Sequence, residues 1–290
     1  MRNEPMGLQT PFISLLLATY GRSEDIGRFV AALQGQTCRD LELIFADQNL
    51  DGRVTPYVEQ ARALGFAVRH LRLDKPNLSA ARNAALMVAT GEWVAFPDDD
   101  CWYEPETLAA VRHAAQNRSQ VGAFVICWVE HYDAGCRPSP DQRDRLTLDA
   151  WRRFRGGDAS SITLFMRREA VVRVGGFDER LGVGQFYGAG EETDLILRLL
   201  TDGVEIMRLS SARVHHAFST AIYDVNWRRT LARERGTGAL YAKHRLSLRV
   251  RLRGFVAPMA RALINGQGWT GLKHGWAQVL GRWQGWSRWS

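Results

Sequence analysis

Cysteines are few in this sequence and long apolar runs are absent, and each shortage excludes a class of protein. The four cysteines among 290 residues form no C-x-x-C pair, so the sequence indicates neither a disulfide framework nor a zinc ribbon. No apolar stretch approaches the ~18 residues of a membrane span. The apolar run 12–18 follows Pro11 and indicates a buried strand rather than a signal peptide. We therefore expect a protein of the reducing cytoplasm.

Acidic residues are scarce at the C-terminal end. Residues 227–290 contain thirteen Lys and Arg, a single acid, Glu234, and six of the ten tryptophans. The first 226 residues, by contrast, hold 30 acidic and 25 basic side chains. Because so uneven a charge indicates different partners, we expect a folded body at 10–225 and a basic, Trp-rich, helical extension at 226–290.

Short aliphatic or β-branched runs alternate with helical patterns in the first hundred residues. The predicted strands are 12–19, 41–46, 66–71 and 93–96, and the predicted helices are 23–33, 54–64 and 79–89. This alternation predicts an α/β fold with a mostly parallel sheet flanked by helices. Ligands of such sheets bind beyond the carboxyl ends of the strands, where the sequence places Thr19, Asp47 and the run Asp98-Asp99-Asp100.

The three consecutive aspartates directly follow the fourth predicted strand. Because residues i and i+2 of an extended segment point the same way, Asp98 and Asp100 can present oxygen ligands on one side while Asp99 faces the other. Two carboxylates, with waters and phosphate oxygens, are how Mg²⁺ or Mn²⁺ is usually held with a diphosphate substrate. The alternative is a solvated acidic loop before the helix that follows Pro105. The position after a strand favours the metal site.

Five segments of the chain match the motif order of a known family. They are Ile13–Arg22, Asp47 after the second predicted strand, Asn77–Asn83, Phe96–Asp100, and Gly175–Glu179 with Gly190–Leu195. In these segments, which extend over about residues 12–220, the chain resembles the family-2 glycosyltransferases of the GT-A fold. The resemblance implies an inverting enzyme that moves a sugar from a nucleotide-diphosphate sugar to an acceptor hydroxyl, in polysaccharide or lipid-linked glycan assembly. It also implies a nucleotide-binding half at 10–104 and an acceptor half at 105–225.

The resemblance also implies which residues bind the donor. The implied set is Thr19, Arg22, Asp47, Arg82, Asp98 and Asp99. Within it, Thr19 and Asp47 are expected at the base and ribose, and Arg82 at the base or diphosphate. Gln48 stands where the family commonly has a second acid, so the preference for a base or sugar can differ from that of other members.

A further resemblance concerns the metal. Residues 213–218 look like the Arg-Val-Gly-His-Val-Phe stretch of the GT-A enzymes that attach N-acetylgalactosamine to polypeptides. This match implies that His216 is a third metal ligand beside Asp98 and Asp100, with Asp100 the main one. An imidazole among oxygen ligands favours Mn²⁺ over Mg²⁺. His215 and His216 would point to opposite faces of a strand, so only one of them can be a ligand.

Three acids, Glu191, Glu192 and Asp194, begin another predicted helix. Sugar transfer with inversion needs a base for the acceptor hydroxyl, and the start of a helix stabilises an ionised carboxylate. We expect these carboxylates to be exposed at the edge of the crevice, with Glu192 as the base and Asp194 as the alternative. Plain capping of the helix is the non-catalytic interpretation.

The extension carries a repeat of tryptophan. Trp269, Trp276 and Trp283 recur every seven residues, which predicts one stripe on a helix, although nearby glycines weaken helix formation. Upstream, the alternation of Leu or Val with Arg over 246–253 leaves strand and helix open. The stripe either packs on the body or, with the basic residues, docks a peripheral enzyme on the anionic inner face of a membrane.

Two other functions compete with sugar transfer. A sugar-1-phosphate nucleotidyltransferase shares the sheet plan but needs a Gly-rich basic loop after its first strand, where this chain has the single glycine Gly21. A non-catalytic nucleic-acid-binding module would account for the basic pI near 9.6. We expect no nucleic acid as partner, and instead a nucleotide-sugar donor and a glycan or lipid-linked acceptor.

Overall fold

The predicted alternation of strands and helices is present in the computed structural model, which describes residues 10–129, 145–157, 159–216 and 226–289. The first seven elements are β1 Ile13–Thr19, α1 Glu24–Gln34, β2 Leu41–Asp47, α2 Thr55–Ala63, β3 Ala67–Arg72, α3 Leu78–Val88 and β4 Trp93–Ala95. The later elements are β5 Cys101–Tyr103, α4 Thr107–Asn117, β6 Val121–Trp128, α5 Leu148–Arg152, β7 Leu164–Arg167, α6 Arg168–Arg173, α7 Glu191–Thr201, β8 Glu205–His216, α8 Trp227–Lys243, α9 Leu248–Ile264 and α10 Gly268–Arg288. The last two residues of the segment 213–218 lie outside the described residues.

The strands form one eight-stranded sheet in the order β3-β2-β1-β4-β7-β6-β8-β5. The four strands β3, β2, β1 and β4 are parallel, as predicted, and Thr19 at the end of β1 is in register with Asp47 at the end of β2. The other half is mixed, because β7 runs antiparallel to both of its neighbours. The carboxyl ends of the parallel strands therefore meet at one edge of the sheet.

Each of the first two strands is buried along its whole length. Alternate residues of β1 enter opposite layers of the core, so that Leu15 and Leu17 pack under α1 residues such as Phe29, while Leu16 packs with Ala85 of α3. This is the period-2 geometry of a strand covered on both faces. Burial on both faces fixes the register, which in turn fixes the positions of the strand ends.

The extension forms a bundle of α8, α9 and α10. Its glycines allow close packing of the helices: a Cβ on Gly236 of α8 would lie 1.9 Å from the carbonyl oxygen of Ala189 in the body, and one on Gly285 of α10 would lie 2.0 Å from the carbonyl oxygen of Arg235 in α8. The alternating segment 246–253 belongs mainly to α9 and includes no strand. Helix packing thus overrides both the period-2 pattern and the helix-weakening effect of the glycines.

The tryptophan stripe of α10 does not pack on the body. The exposed fractions of Trp269, Trp276 and Trp283 are 71%, 54% and 53%. The interpretation that the stripe packs on the body is therefore wrong for these three residues. Trp289, by contrast, lies against Tyr187 with ring centroids 5.0 Å apart. Among the described residues, no helix is both long enough and apolar enough to cross a bilayer.

The cysteines differ from the expectation drawn from their spacing. Cys38 and Cys101 are buried free thiols. Cys127, at the end of β6, is disulfide-bonded. The lack of a C-x-x-C pair did not exclude this bond, because a disulfide needs only two cysteines that lie close together in space.

Candidate active site

The side chains of Asp98, Asp100 and His216 form a cluster at the sheet edge. Their ligand atoms all lie within 4.8 Å of one another, and His216 Nε2 is 3.0 Å from Asp100 Oδ1. The cluster forms because β5 pairs antiparallel with β8, which places His216 opposite Cys101, the residue after the aspartate run. Two carboxylates and one imidazole are a donor set that suits Mn²⁺ or Mg²⁺. The three residues therefore fit the expected metal.

The aspartate run is not a solvated loop. Asp99 and Asp100 are each only 8% exposed. Burial raises the pKa of Asp98 despite the nearby charge of Arg82. Burial also opposes ionisation of Asp100, but hydrogen bonds from His216 and Arg22 outweigh it and lower the pKa of that carboxyl. The carboxyl expected to be the main metal ligand is thus the one whose pKa its neighbours lower.

Asp99 is not a member of the cluster, but the aspartate run lies in a turn between β4 and β5 rather than in the extended segment that the prediction assumed. Its Oδ2 accepts a hydrogen bond from Thr19 Oγ1 at 2.7 Å, and its Oδ1 lies 3.1 Å from Arg22 Nη1. Burial raises the pKa of Asp99 to about 6. Arg22 also contacts Asp100, and half of its side chain is exposed. The cationic end of Arg22 therefore lies beside the carboxylates and remains accessible to a ligand.

Arg82 lies between α7 and the aspartate run. Its guanidinium is 2% exposed, and Nη2 donates to Ser161 Oγ at 2.7 Å and to Asp98 Oδ1 at 3.1 Å. Its Nη1 lies 3.6 Å from Glu191 and 3.7 Å from Glu192. The arginine is placed by α3, whose first turn Asn77 caps by accepting from the backbone N–H of Ala80. One buried cation thus lies between the aspartate run and the acids of α7.

Asp47 occupies the end of β2 and is fully buried. Its Oδ1 accepts from the backbone N–H and the side-chain amide of Asn49, and its Oδ2 lies 2.9 Å from His70 Nε2. Sequence reasoning missed Asn49 and His70. The tendency of consecutive strands to pair could have pointed to His70, because its position in β3 is in register with Phe45, two residues before Asp47.

The three acids of α7 have different surroundings, which corrects the expectation that all are exposed. Glu191 and Asp194 are 4% and 0% exposed, whereas Glu192 lines a cavity. Burial, together with the charge of Glu192, raises the pKa of Glu191. The difference follows from helix geometry, because positions 191 and 194 share one face and that face is turned inward.

Asp194 is held by two cationic groups and an imidazole. Its carboxylate lies 2.7 Å from Arg198 Nη2, 2.8 Å from Lys243 Nζ and 2.8 Å from His244 Nε2. Lys243 ends α8 and His244 follows it, so these contacts attach the extension to the body. The surroundings of Asp194 are those of a structural ion pair.

A cavity of about 530 Å³ opens beside Glu192. Its wall includes Trp128, Trp151, Phe154 and, from α8, Arg233. Trp128 also lies against His216, with ring centroids 5.4 Å apart, so one residue of the cavity wall contacts the cluster. Aromatic walls suit the apolar face of a ring-shaped ligand. Sequence reasoning missed this wall, because its members come from four separate segments.

Comparison with known proteins yields one family. The model of Glycosyl transferase family 2 matches residues 14–174, which is more than half of the chain. The putative glycosyltransferase EpsH of Bacillus subtilis is 27% identical over 120 residues, which cover 41% of this chain and 34% of EpsH. The chain thus matches about a third of the length of that relative. The succinoglycan biosynthesis protein ExoM of Rhizobium meliloti is 24% identical over 210 residues, covering 71% of this chain and 67% of ExoM.

Among solved structures, the mannosyltransferase PcManGT of Pyrobaculum calidifontis, in complex with GDP-Man and Mn²⁺, has a TM-score of 0.67. It is 17% identical, and the match covers 97% of this chain and 89% of that one. At this identity the likeness concerns the fold. It confirms the predicted α/β class of the GT-A type, together with the C-terminal helices.

Proposed function

The chain belongs to glycosyl transferase family 2, and on this premise we propose that it transfers a sugar, with inversion, from a nucleotide-diphosphate sugar to an acceptor hydroxyl. The observation that carries the proposal is the cluster of Asp98, Asp100 and His216, within 4.8 Å of one another and next to the cavity that Glu192 lines. A metal-ligand set and a carboxylate base are the two groups that such a transfer needs.

On the donor side, Asp98, Asp100 and His216 hold the divalent cation in this proposal. At this position Mn²⁺ or Mg²⁺ would neutralise the charge that develops on the diphosphate leaving group. The exposed half of Arg22 lies at the same place and can bind a phosphate oxygen. Thr19, Asp47, Arg82, Asp98 and Asp99 complete the donor-binding set that the family resemblance implies. In PcManGT, a nucleotide-sugar and Mn²⁺ are bound together.

On the acceptor side, Glu192 takes the proton of the acceptor hydroxyl while that oxygen attacks the anomeric carbon. The nucleoside diphosphate departs from the opposite face of the sugar, which inverts the configuration. Two observations favour Glu192 over Asp194: Glu192 lines the cavity, whereas Asp194 is fully buried against Arg198, Lys243 and His244. Arg82, 3.7 Å from Glu192, holds the carboxylate in place.

The cavity is the proposed acceptor site. The indoles of Trp128 and Trp151 offer flat apolar surfaces to the C–H face of a sugar ring, and Arg233 offers a charged donor for a hydroxyl, phosphate or carboxylate. We propose a glycan or lipid-linked glycan as acceptor, in polysaccharide assembly, the setting that the name of ExoM gives for that protein. The catalytic unit is residues 10–225, with a donor half at 10–104 and an acceptor half at 105–225. We place the enzyme in the cytoplasm, at the inner face of a membrane.

The proposal is tested with the full chain and a panel of nucleotide-diphosphate sugars. In the presence of Mn²⁺, one donor should raise the melting temperature and release nucleoside diphosphate slowly in the absence of acceptor. Excess EDTA should remove both effects. If no donor binds with Mn²⁺, or if donor binding is unchanged by EDTA, the metal-dependent transfer is wrong.

A further inference from the structure

An apolar surface is exposed where α9 and α10 meet. Leu263 and Ile264 end α9, Trp269 lies in the first turn of α10, and Trp276 and Trp283 continue along that helix. All five are exposed, Ile264 to 81%. We call these five residues the hairpin surface. Large apolar side chains exposed together, in contrast to scattered ones, indicate a binding surface.

The packing of α10 keeps the tryptophans on the outside. Residues seven apart on a helix drift by only about 20°, so the three tryptophans lie within about 40° of one another. The opposite face holds Gly281 and Gly285, which pack closely on α8. The stripe therefore leaves more than half of each tryptophan exposed and available to a partner.

The charge around the hairpin surface is of one sign. Residues 245–289 contain eight Lys and Arg and no acid. Arg249, Arg261 and Lys273 are exposed, and Lys273 Nζ lies 5.5 Å from the ring centroid of Trp269. A partner of this surface must therefore be anionic and must also accept aliphatic side chains and indoles.

We propose that the hairpin surface docks the chain in the interfacial layer of an anionic bilayer. Tryptophan and basic residues are the groups that membrane interfaces favour, and Leu263 and Ile264 can enter the acyl boundary. Nucleic acid could bind the cations and stack on the indoles, but it has no apolar surface that would bury the two aliphatic residues. A second copy of the chain would bring two clusters of like charge together. This inference goes beyond the sugar transfer and does not depend on it.

The test measures binding of the full chain to vesicles of phosphatidylglycerol and phosphatidylcholine, and to vesicles of phosphatidylcholine alone, by co-sedimentation. The variant Leu263→Gln, Ile264→Gln should lower the partition coefficient on anionic vesicles at least tenfold. The variant Arg261→Gln, Lys273→Gln should lower it about 25-fold at low salt, since each cation near the surface contributes roughly a fivefold factor. On neutral vesicles the charge variant should change little.

Control substitutions of the same chemical type can be made on the body. Met87→Gln removes an apolar side chain of α3 that is 78% exposed, and Arg28→Gln with Arg62→Gln removes two exposed cations of α1 and α2. Both controls should bind vesicles like the parent chain, and all variants should keep its melting temperature. Vesicle binding that the hairpin variants leave unchanged would overturn the proposal, as would hairpin variants that lose DNA binding or dimerisation but not vesicle binding. Because no sugar donor is present, a failure here is independent of the proposed reaction.

Discussion

Arg82 Nη2 lies 3.1 Å from Asp98 Oδ1, and the arginine side chain is only 2% exposed. The same guanidinium is within 4 Å of Glu191 and Glu192, so one buried cation neutralises acids of both the aspartate run and α7. Removing one member of a buried ionic cluster leaves the others without compensation, which typically costs about 3–5 kcal/mol.

We therefore expect Arg82→Met to lower the free energy of unfolding by about 3–5 kcal/mol, as measured by urea denaturation at neutral pH. The matched control is Arg62→Met, because Arg62 pairs with Glu59 on an exposed helix face, and its loss should cost less than ~0.5 kcal/mol. Equal losses in the two variants would show that Arg82 does not stabilise the contact between the aspartate run and α7.

The adjacent histidines at the end of β8 allow a paired test of the metal site. His216 contacts Asp100, whereas His215 lies 3.0 Å from Glu104 and stacks on Trp102. His216→Gln should weaken Mn²⁺ binding by at least ~10²-fold, since even residues behind a ligand contribute 10–100-fold. His215→Gln should leave Mn²⁺ affinity within a few fold of the parent chain. Isothermal titration with Mn²⁺ and a nucleoside diphosphate measures both, and a larger loss in His215→Gln would exclude the proposed ligand set.

Variants of the acids of α7 allow catalysis and folding to be tested separately. Glu192→Gln should retain donor binding and the melting temperature but lower kcat by at least ~10²-fold, the usual contribution of a general base. Asp194→Asn should instead lower stability, because Arg198, Lys243 and His244 would lose a buried partner. Steady-state kinetics at saturating donor and thermal unfolding of both variants give the answer. If Asp194→Asn folds normally and shows the larger loss of kcat, Asp194 is the base.

The parallel half of the sheet was predictable from the sequence because its signals are local. Its strands follow from short buried runs, whereas the aspartate run lies in the turn between β4 and β5, so strand alternation does not account for the meeting of Asp98 and Asp100. Asp194 shows the limit: its position at a helix start predicted exposure, but its partners Lys243 and His244 are about fifty residues away in the chain. The segment 246–253 shows the same limit, since its alternating pattern fits a strand, and only packing in the bundle makes most of it a helix.

The same carboxylate should give folding stability a pH dependence. Burial opposes ionisation of Asp194, but the hydrogen bond from His244 and the charges of Arg198 and Lys243 outweigh it, so the pKa is lowered in the folded state. A lowered folded pKa contributes stability above the unfolded pKa of about 3.9, and this contribution disappears as pH falls through the folded pKa. The difference in unfolding free energy between the parent chain and Asp194→Asn should therefore be largest at neutral pH and shrink below pH ~4. A difference that stays constant down to pH 3 would contradict this origin.

The wall of the cavity predicts that the extension takes part in acceptor binding. Arg233 lines the cavity together with Glu192 but belongs to α8, outside the region that the family model matches. A hydrogen bond to a charged group contributes about 1.5–3 kcal/mol, so Arg233→Gln should raise the KM for an acceptor that carries a phosphate or carboxylate by roughly 10–150-fold. The rate constant kcat should change little, because Arg233 is not proposed to contact the reacting atoms.

Arg229 is the matched control: it is exposed on the same helix, one turn earlier, and does not line the cavity, so Arg229→Gln should leave KM unchanged. The measurement is initial rate against acceptor concentration at saturating donor, repeated with a neutral acceptor. Equal effects of the two variants on KM would mean that the cavity does not bind the acceptor through α8, and the extension would then have no direct part in the transfer.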